Sequence, residues 1–260
     1  MNTKLVALAV VGALSSPLVA IAADPAPEHT FTGNVGFVTD YLYRGISQTS
    51  GKPALQGGFD YAHSSGLYAG AWGSNISWIE DTGGAQSSSL EIDVYGGYKG
   101  TITGDLGFDV GLLTYNYPKT NLTAGFLKQD TQEIYGALTY KWLTLKYSHS
   151  IGALFGWNKT GSTEKTKGSG YLELNAAYDL GDGWGINGHI GHQKVRGRDT
   201  ASYSDLKIGV TKDVGVGVVG LAVSTTNAKD SCSAVEDYCW GVPAYAAGKS
   251  TAVLSFSKSF

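Results

Sequence analysis

From Gly33 to Phe260 the apolar residues recur with a period of two, mostly in segments of nine to thirteen residues. A strand sends successive side chains to opposite faces, whereas a helix needs a period near 3.6, so the pattern commits the chain to strands. The segments are long for their type. An ordinary strand runs about five or six residues, while a tilted strand that crosses a bilayer needs about nine to eleven. Leu106, Phe108, Val110 and Leu112 share one face, with Asp105, Gly107, Asp109 and Gly111 on the other. Leu172, Leu174, Ala176 and Tyr178 oppose Glu173, Asn175 and Asp179 in the same way.

Twelve segments fit this template, at 33–45, 54–63, 67–78, 88–99, 104–117, 131–142, 143–151, 169–180, 183–195, 203–213, 215–225 and 249–260. In 67–78 both faces are mixed, and in 215–225 both are apolar, so the pattern leaves their facing open. Short links follow the even-numbered segments and long ones follow the odd-numbered, the longest at 152–168 and 226–248. An even strand count with alternating short and long connections is the plan of an antiparallel up-and-down transmembrane barrel, with short turns on the periplasmic side. Both chain ends then fall on that side. The expected fold is all-β.

A soluble sandwich or lipocalin-like barrel would share the alternation but turn its apolar face inward. Two features favour the opposite facing. Tyr61, Tyr98, Tyr140, Trp142, Tyr178, Trp184 and Phe260 gather at the short-turn ends, as an aromatic girdle at a lipid–water boundary would. The chain also ends on Phe260 within an alternating strand, resembling the terminal aromatic signal of outer-membrane barrels. That resemblance implies hand-off to the barrel-assembly machinery, with outer-membrane lipid as the surrounding solvent.

The start of the chain agrees. Lys4, the apolar run Leu5–Leu14 and Ala20-Ile21-Ala22 read as a signal peptide over 1–22, followed by a leader at 23–32 and the barrel at 33–260. An exported chain permits disulfides, and Cys232 and Cys239, seven residues apart, are read as a small disulfide loop. A zinc site would need two further ligands near them, and no histidine follows the pair. Glycine supplies 37 of 260 residues, about twice the usual share, without the three-residue period of collagen. The net charge of −3 lacks the basic excess that nucleic-acid binding needs.

The stretch Gly36-Phe37-Val38-Thr39-Asp40-Tyr41-Leu42-Tyr43-Arg44-Gly45-Ile46-Ser47-Gln48-Thr49, with Lys52-Pro53-Ala54-Leu55-Gln56-Gly57-Gly58-Phe59-Asp60-Tyr61 after it, resembles the opening of TorF-type porins. Gly66–Ile76 and Glu91–Tyr98 are similar in style, and the resemblance is specific over about 33–117. It implies a proteobacterial outer-membrane barrel and a channel. It brings no substrate and no catalytic residues.

Twelve strands spaced about 4.8 Å apart and tilted about 40° enclose a backbone diameter of roughly 25 Å, between filled eight-stranded barrels and open porins. A narrow pore for ions or small solutes is the expected use. The alternative is a barrel plugged by its own side chains or loops, serving an adhesive or surface-binding role. Alternation points Asp40, Asp60, Glu91, Asp93, Asp109, Glu133, Glu173 and Asp205 inward, with Arg44, Lys99, Lys141, Lys146 and Lys207. Eight acids against five bases predict a mild cation preference, since charged rings set pore selectivity.

An outer-membrane hydrolase is the reading from another class, with Ser148-His149-Ser150 as its candidate. Neighbouring strand residues face opposite ways, so this tripeptide cannot assemble a nucleophile and base on one side. His63, His189 and His192 are scattered, and His29 lies in the leader. No cofactor or metal is called for. The outer loops carry aromatics suited to recognition, among them Phe155, Trp157, Tyr238, Trp240 and Tyr245. Asn121-Leu122-Thr123 matches a glycosylation pattern that a bacterial outer membrane makes irrelevant. A monomer and a trimer fit the sequence equally.

Overall fold

The computed structural model of the chain describes residues 27–82, 85–86, 88–118, 121–122, 128–157 and 165–260. The signal segment and the first residues of the leader lie outside them, as does Thr123 of the glycosylation pattern. Among the described residues twelve antiparallel strands close into one barrel. They are β1 (His29–Val38), β2 (Ala54–His63), β3 (Leu67–Asn75), β4 (Leu90–Thr103), β5 (Leu106–Asn116) and β6 (Thr131–Tyr140), followed by β7 (Leu143–Ser150), β8 (Gly170–Gly181), β9 (Trp184–Lys194), β10 (Tyr203–Asp213), β11 (Val218–Thr226) and β12 (Thr251–Ser259). Each strand pairs with its neighbours in sequence. The ring shuts where Asn34–Val38 of β1 lies opposite Ser255–Ser259 of β12.

Links of two to four residues join β2–β3, β4–β5, β6–β7, β8–β9 and β10–β11 at one end, where both ends of the barrel also lie. Six longer connections crowd the other end. The tightest short link is Lys141-Trp142, with Lys141 at φ 54°. Lys141 is therefore an exposed turn residue beside Tyr140, not an inward charge on a strand. The strand alternation ran one residue too far there.

The apolar face points out. Phe59, Leu174, Ile190, Leu206 and Leu254 are 40–73% exposed, and Tyr98, Tyr140, Trp142, Tyr178, Trp184 and Phe260 are exposed toward the short-link end, with Tyr61 half-buried beside them. This is the inverse of a soluble barrel, which would hide these side chains. The two undecided strands resolve by the same rule. Leu67, Ala69 and Ala71 face outward from β3 with Tyr68 and Trp72 inward, while Leu221 and Val223 face outward from β11 with Gly220 and Ser224 inward.

Strand β1 is displaced from its expected position. It begins at His29, inside the segment read as leader, and stops at Val38 instead of running to Gly45. His29-Thr30-Phe31-Thr32 continues the ladder against Tyr61–His63 and Asp60 of β2. Beyond Val38 the chain leaves the wall and folds into the mouth. Tyr41 and Tyr43, expected on the outer face with Val35 and Phe37, are instead packed inside.

Inside, glycine makes room for tyrosine. Gly70 lies opposite Tyr95, Gly97 opposite Tyr68 and Gly111 opposite Tyr135 on adjacent strands. A Cβ at each of these glycines would come under 3.0 Å from atoms of its partner's ring. The rings lie flat along the wall because the facing residue has no side chain.

Candidate functional site

The polar face of the wall encloses a lumen whose two ends differ. Near the long connections the inward residues Glu91, Asp93, Glu133, Lys146, Ser148, Glu173, Gln193 and Asp205 are all buried. Toward the short links the inward series opens stepwise, through Asp60, Asp109, Lys99 and Lys207 to Thr101 and Asp179 at the exposed rim. The lumen is a cup, open on the short-link side and filled on the other.

The filling comes from the loops. Between β1 and β2, Leu42-Tyr43 and Ile46-Ser47 pair in a small ladder whose turn is Arg44-Gly45. Both turn residues are left-handed, with φ of 49° and 79°. Gly45 is needed twice over, since a Cβ there would also lie 2.6 Å from Thr226 Cγ2 and 2.9 Å from Asp205 Cβ. The hairpin tip thus reaches across to β10 and β11.

Arg44, at this tip, is nearly fully buried. Its Nη1 and Nη2 donate to Glu133 Oε1 and Oε2 of β6 at 3.1 and 2.7 Å, and Nη1 also donates to Gln193 Oε1 of β9 at 2.7 Å. The guanidinium lies 4.2 Å from the ring centre of Tyr171 on β8 and 4.8 Å from that of Tyr43. A two-pronged pair of this kind fixes orientation as well as charge. One residue of a loop bridges three wall strands.

Asp40 also sits in this loop and not on a strand. It accepts from Ser47 Oγ at 2.6 Å and Thr49 Oγ1 at 3.0 Å, with Tyr245 Oη at 3.4 Å. Burial raises its carboxyl above the ordinary carboxylate range despite these bonds. Tyr41 donates to Glu91 Oε1 at 2.7 Å and Tyr117 donates to Glu91 Oε2 at 2.8 Å, tying two loops to β4.

Lower in the cup the carboxylates are dressed by tyrosine hydroxyls. Tyr95 donates to Asp60, and Tyr68 donates to Asp109 at 2.6 Å while touching the Tyr135 hydroxyl. His189 Nε2 lies 2.8 Å from both Asp205 Oδ2 and the Tyr171 hydroxyl, and its Nδ1 lies 2.7 Å from Asn175 Oδ1. Lys146 caps the Tyr135 ring at 4.3 Å. Asp93 Oδ1 is buried with no hydrogen-bond partner among the described residues.

The other candidates sit apart. Ser148 and Ser150 are buried inward while His149 is turned out beside Tyr147 Oη at 3.3 Å, so the three do not converge. His29, Glu28 and His63 do converge at the short-link rim, a grouping that no sequence spacing signals. There the Ser65 backbone N–H donates to His63 Nδ1 at 3.1 Å. Ser65 Oγ lies 2.7 Å from the same nitrogen, and His63 Nε2 lies 3.5 Å from Glu28 Oε1. Cys232 and Cys239 are joined in a disulfide at a Cα separation of 5.1 Å.

At the mouth, the hairpin, the short helix α1 (Trp78–Asp81), the Leu154–Trp157 turn and the Asp237–Trp240 segment line a half-open cleft of about 80 Å³ with mostly aromatic walls. Single sequence positions cannot reveal such a site, because its walls come from four loops.

A family model for bacterial proteins of unknown function, Gcw_chp, matches residues 22–260. No curated protein matches the chain. Among solved structures, the NanC porin is 8% identical over 88% of this chain and 98% of its own, with a TM-score of 0.47. A TodX deltaS2S3 mutant, a monoaromatic hydrocarbon channel, is 14% identical over 90% and 91%, with a TM-score of 0.48. The outer membrane protein OprD from Pseudomonas aeruginosa is 16% identical, with a TM-score of 0.40. The match covers 88% of this chain but only 65% of OprD, just under two thirds of that protein's length.

Proposed function

The chain belongs to the bacterial family Gcw_chp, whose function is unknown, and from the architecture of its lumen we propose that it is an outer-membrane channel for ions and small solutes, closed at its mouth by its own loops. One observation carries the reading: an apolar band faces out all round a closed barrel whose interior is charged, polar and open at one end. A bilayer is the solvent that such an exterior fits. The short links and both ends of the barrel then face the periplasm, with the loop-filled mouth outside. The aromatic residues from Tyr61 to Phe260 anchor the periplasmic boundary, and the C-terminal strand ending in Phe260 addresses the assembly machinery. Residues 1–22 act as the export signal. The resemblance to TorF-type porins over about 33–117 points the same way.

The lumen's uncompensated charge supports a mild cation preference. Among the described residues Arg44 is neutralised by Glu133, and the remaining inward acids Asp60, Glu91, Asp93, Asp109, Glu173 and Asp205 outnumber the inward lysines Lys99, Lys146 and Lys207. Purified protein in a planar bilayer tests both parts. Small, cation-favouring steps are expected in a potassium chloride gradient, and larger steps once residues 41–50 are replaced by a short glycine-serine link. Silence from both proteins sinks the channel and leaves a static plug with a surface-binding role. Equal permeability or anion preference sinks the selectivity alone.

A further inference from the structure

We propose that Glu28, His29 and His63 form a binding site for one late first-row divalent cation, such as zinc or copper, at the short-link rim. Strand pairing carries the argument. His29 lies directly opposite His63 in the ladder between β1 and β2, and Glu28 precedes His29 in the chain. The two imidazole rings stand 5.1 Å apart between centres. One donor atom from each of the three side chains lies within 4.8 Å of the other two, and His63 Nε2 is 3.5 Å from Glu28 Oε1. Donors held about 2.1 Å from one tetrahedral ion lie about 3.4 Å apart, so the side chains close by about 1.4 Å at most. Glu28 and His29 are exposed and His63 is half-buried, so small side-chain rotations suffice.

The surroundings of each ring suit a metal ligand. A ligating histidine holds the ion on one nitrogen and donates the proton of the other to an oxygen, which fixes both ring and tautomer. His29 Nδ1 lies 2.9 Å from Tyr61 Oη, and His63 Nδ1 lies 2.7 Å from Ser65 Oγ. Nε2 of each ring is then the donor to the ion. Binding puts the His63 proton on Nδ1, and the backbone N–H of exposed Ser65 turns from that nitrogen to water. Two imidazoles and a carboxylate are a donor set for zinc, copper or nickel, whereas magnesium and calcium take oxygen ligands. The ion would also serve the wall. The last rung of the seam is Gly33 with Phe260, so among the described residues His29–Thr32 of β1 pairs with β2 alone. A metal bridging His29 and His63 clamps that one-sided strand end.

The site rests on the pairing of β1 with β2 and not on the channel reading. The full chain, carrying no polyhistidine tag, is folded in detergent and titrated with zinc, copper(II) and magnesium chlorides by calorimetry. One zinc or copper ion per chain is expected, copper the tighter, and no magnesium. His29→Ala and His63→Ala should each weaken binding at least about tenfold, while His192→Ala, at an exposed histidine on β9, leaves it unchanged. Electron paramagnetic resonance of the copper form reads the ligands directly, with hyperfine coupling to two imidazole nitrogens in the unaltered chain and to one in each rim variant. If a rim variant fails to fold, His149→Asn combined with His192→Asn decides in its place. Those two residues are the other histidines of the outer face, so the two-nitrogen signal must survive their loss. No binding, a signal without two nitrogens, or binding that depends on His192 would overturn the proposal and leave a cluster of surface polar groups. Metal binding in a chain that conducts nothing would keep this site and remove the channel alone.

Discussion

At the scale of single residues, the interior is organised by opposed glycine–tyrosine pairs and by one buried arginine. Gly111 seats the ring of Tyr135, whose hydroxyl touches Tyr68, which in turn donates to Asp109. A methyl group at Gly111 has no free space, and the nearest atoms belong to a ring held in a network. Gly111→Ala is therefore expected to cost about 1–3 kcal/mol by overpacking, read as a lower midpoint in urea unfolding from detergent. Arg44 and Glu133 carry more. Removing one partner of a buried ion pair costs about 3–5 kcal/mol, because the other charge stays buried alone. Glu133→Gln should thus loosen the hairpin, with faster protease cleavage between Thr39 and Pro53 as the sign. Unchanged cleavage would mean that the pair holds nothing in place.

At the scale of elements, the wall was largely legible and the plug was not. Eleven of the twelve strands sit within a few residues of their expected spans, because inward and outward positions alternate between two solvents and the register is fixed by that contrast. The first strand slipped for a physical reason. Tyr41 and Tyr43 alternate with Asp40 and Arg44 as a wall strand would, yet their rings are buried among Trp72, Tyr115 and Phe155 in the mouth. Alternation reports that one face is apolar and says nothing about which apolar surroundings receive it. The one local signal was Arg44-Gly45, a turn that only the hairpin explains. The partners that hold the loop lie far off in sequence: Glu91 is 50 residues from Tyr41, and Glu133 is 89 from Arg44.

The hairpin is also the element on which function can be tested directly. Gly45→Ala places a methyl against Thr226 and Asp205, so it is expected to push the tip out of the lumen and raise single-channel conductance. Asp40 adds a pH dependence. Its carboxyl is held above the ordinary range when the loop is docked, so docking is strongest below that ordinary value and weakens as pH rises through the raised one. Conductance should accordingly increase from about pH 4 toward neutrality, and Asp40→Asn should flatten that rise. An increase on acidification instead would contradict the assignment.

At the scale of the whole molecule, the barrel is an inside-out protein, and its stability depends on the solvent around it. A charge on the outer wall should then be costly in lipid. Leu174 faces outward in mid-strand, between Leu145 and Ile190 on the neighbouring strands. Leu174→Arg is expected to lose about 2–4 kcal/mol in bilayers, measured by reversible unfolding in vesicles. A loss near zero would count against a transmembrane wall. The seam between β1 and β12 has a different consequence, for folding order. Every other pair in the ring joins strands adjacent in the chain, so eleven contacts form from local hairpins with little loop entropy to overcome. Among the strand pairs of the ring, only the β1–β12 seam, from Asn34 against Ser259 to Val38 against Ser255, joins strands more than two hundred residues apart. That closure is the slow event, and interactions across it belong to the last step of assembly. Weakening Phe37 against Phe256 should accordingly speed unfolding while leaving the formation of the eleven hairpin contacts almost untouched.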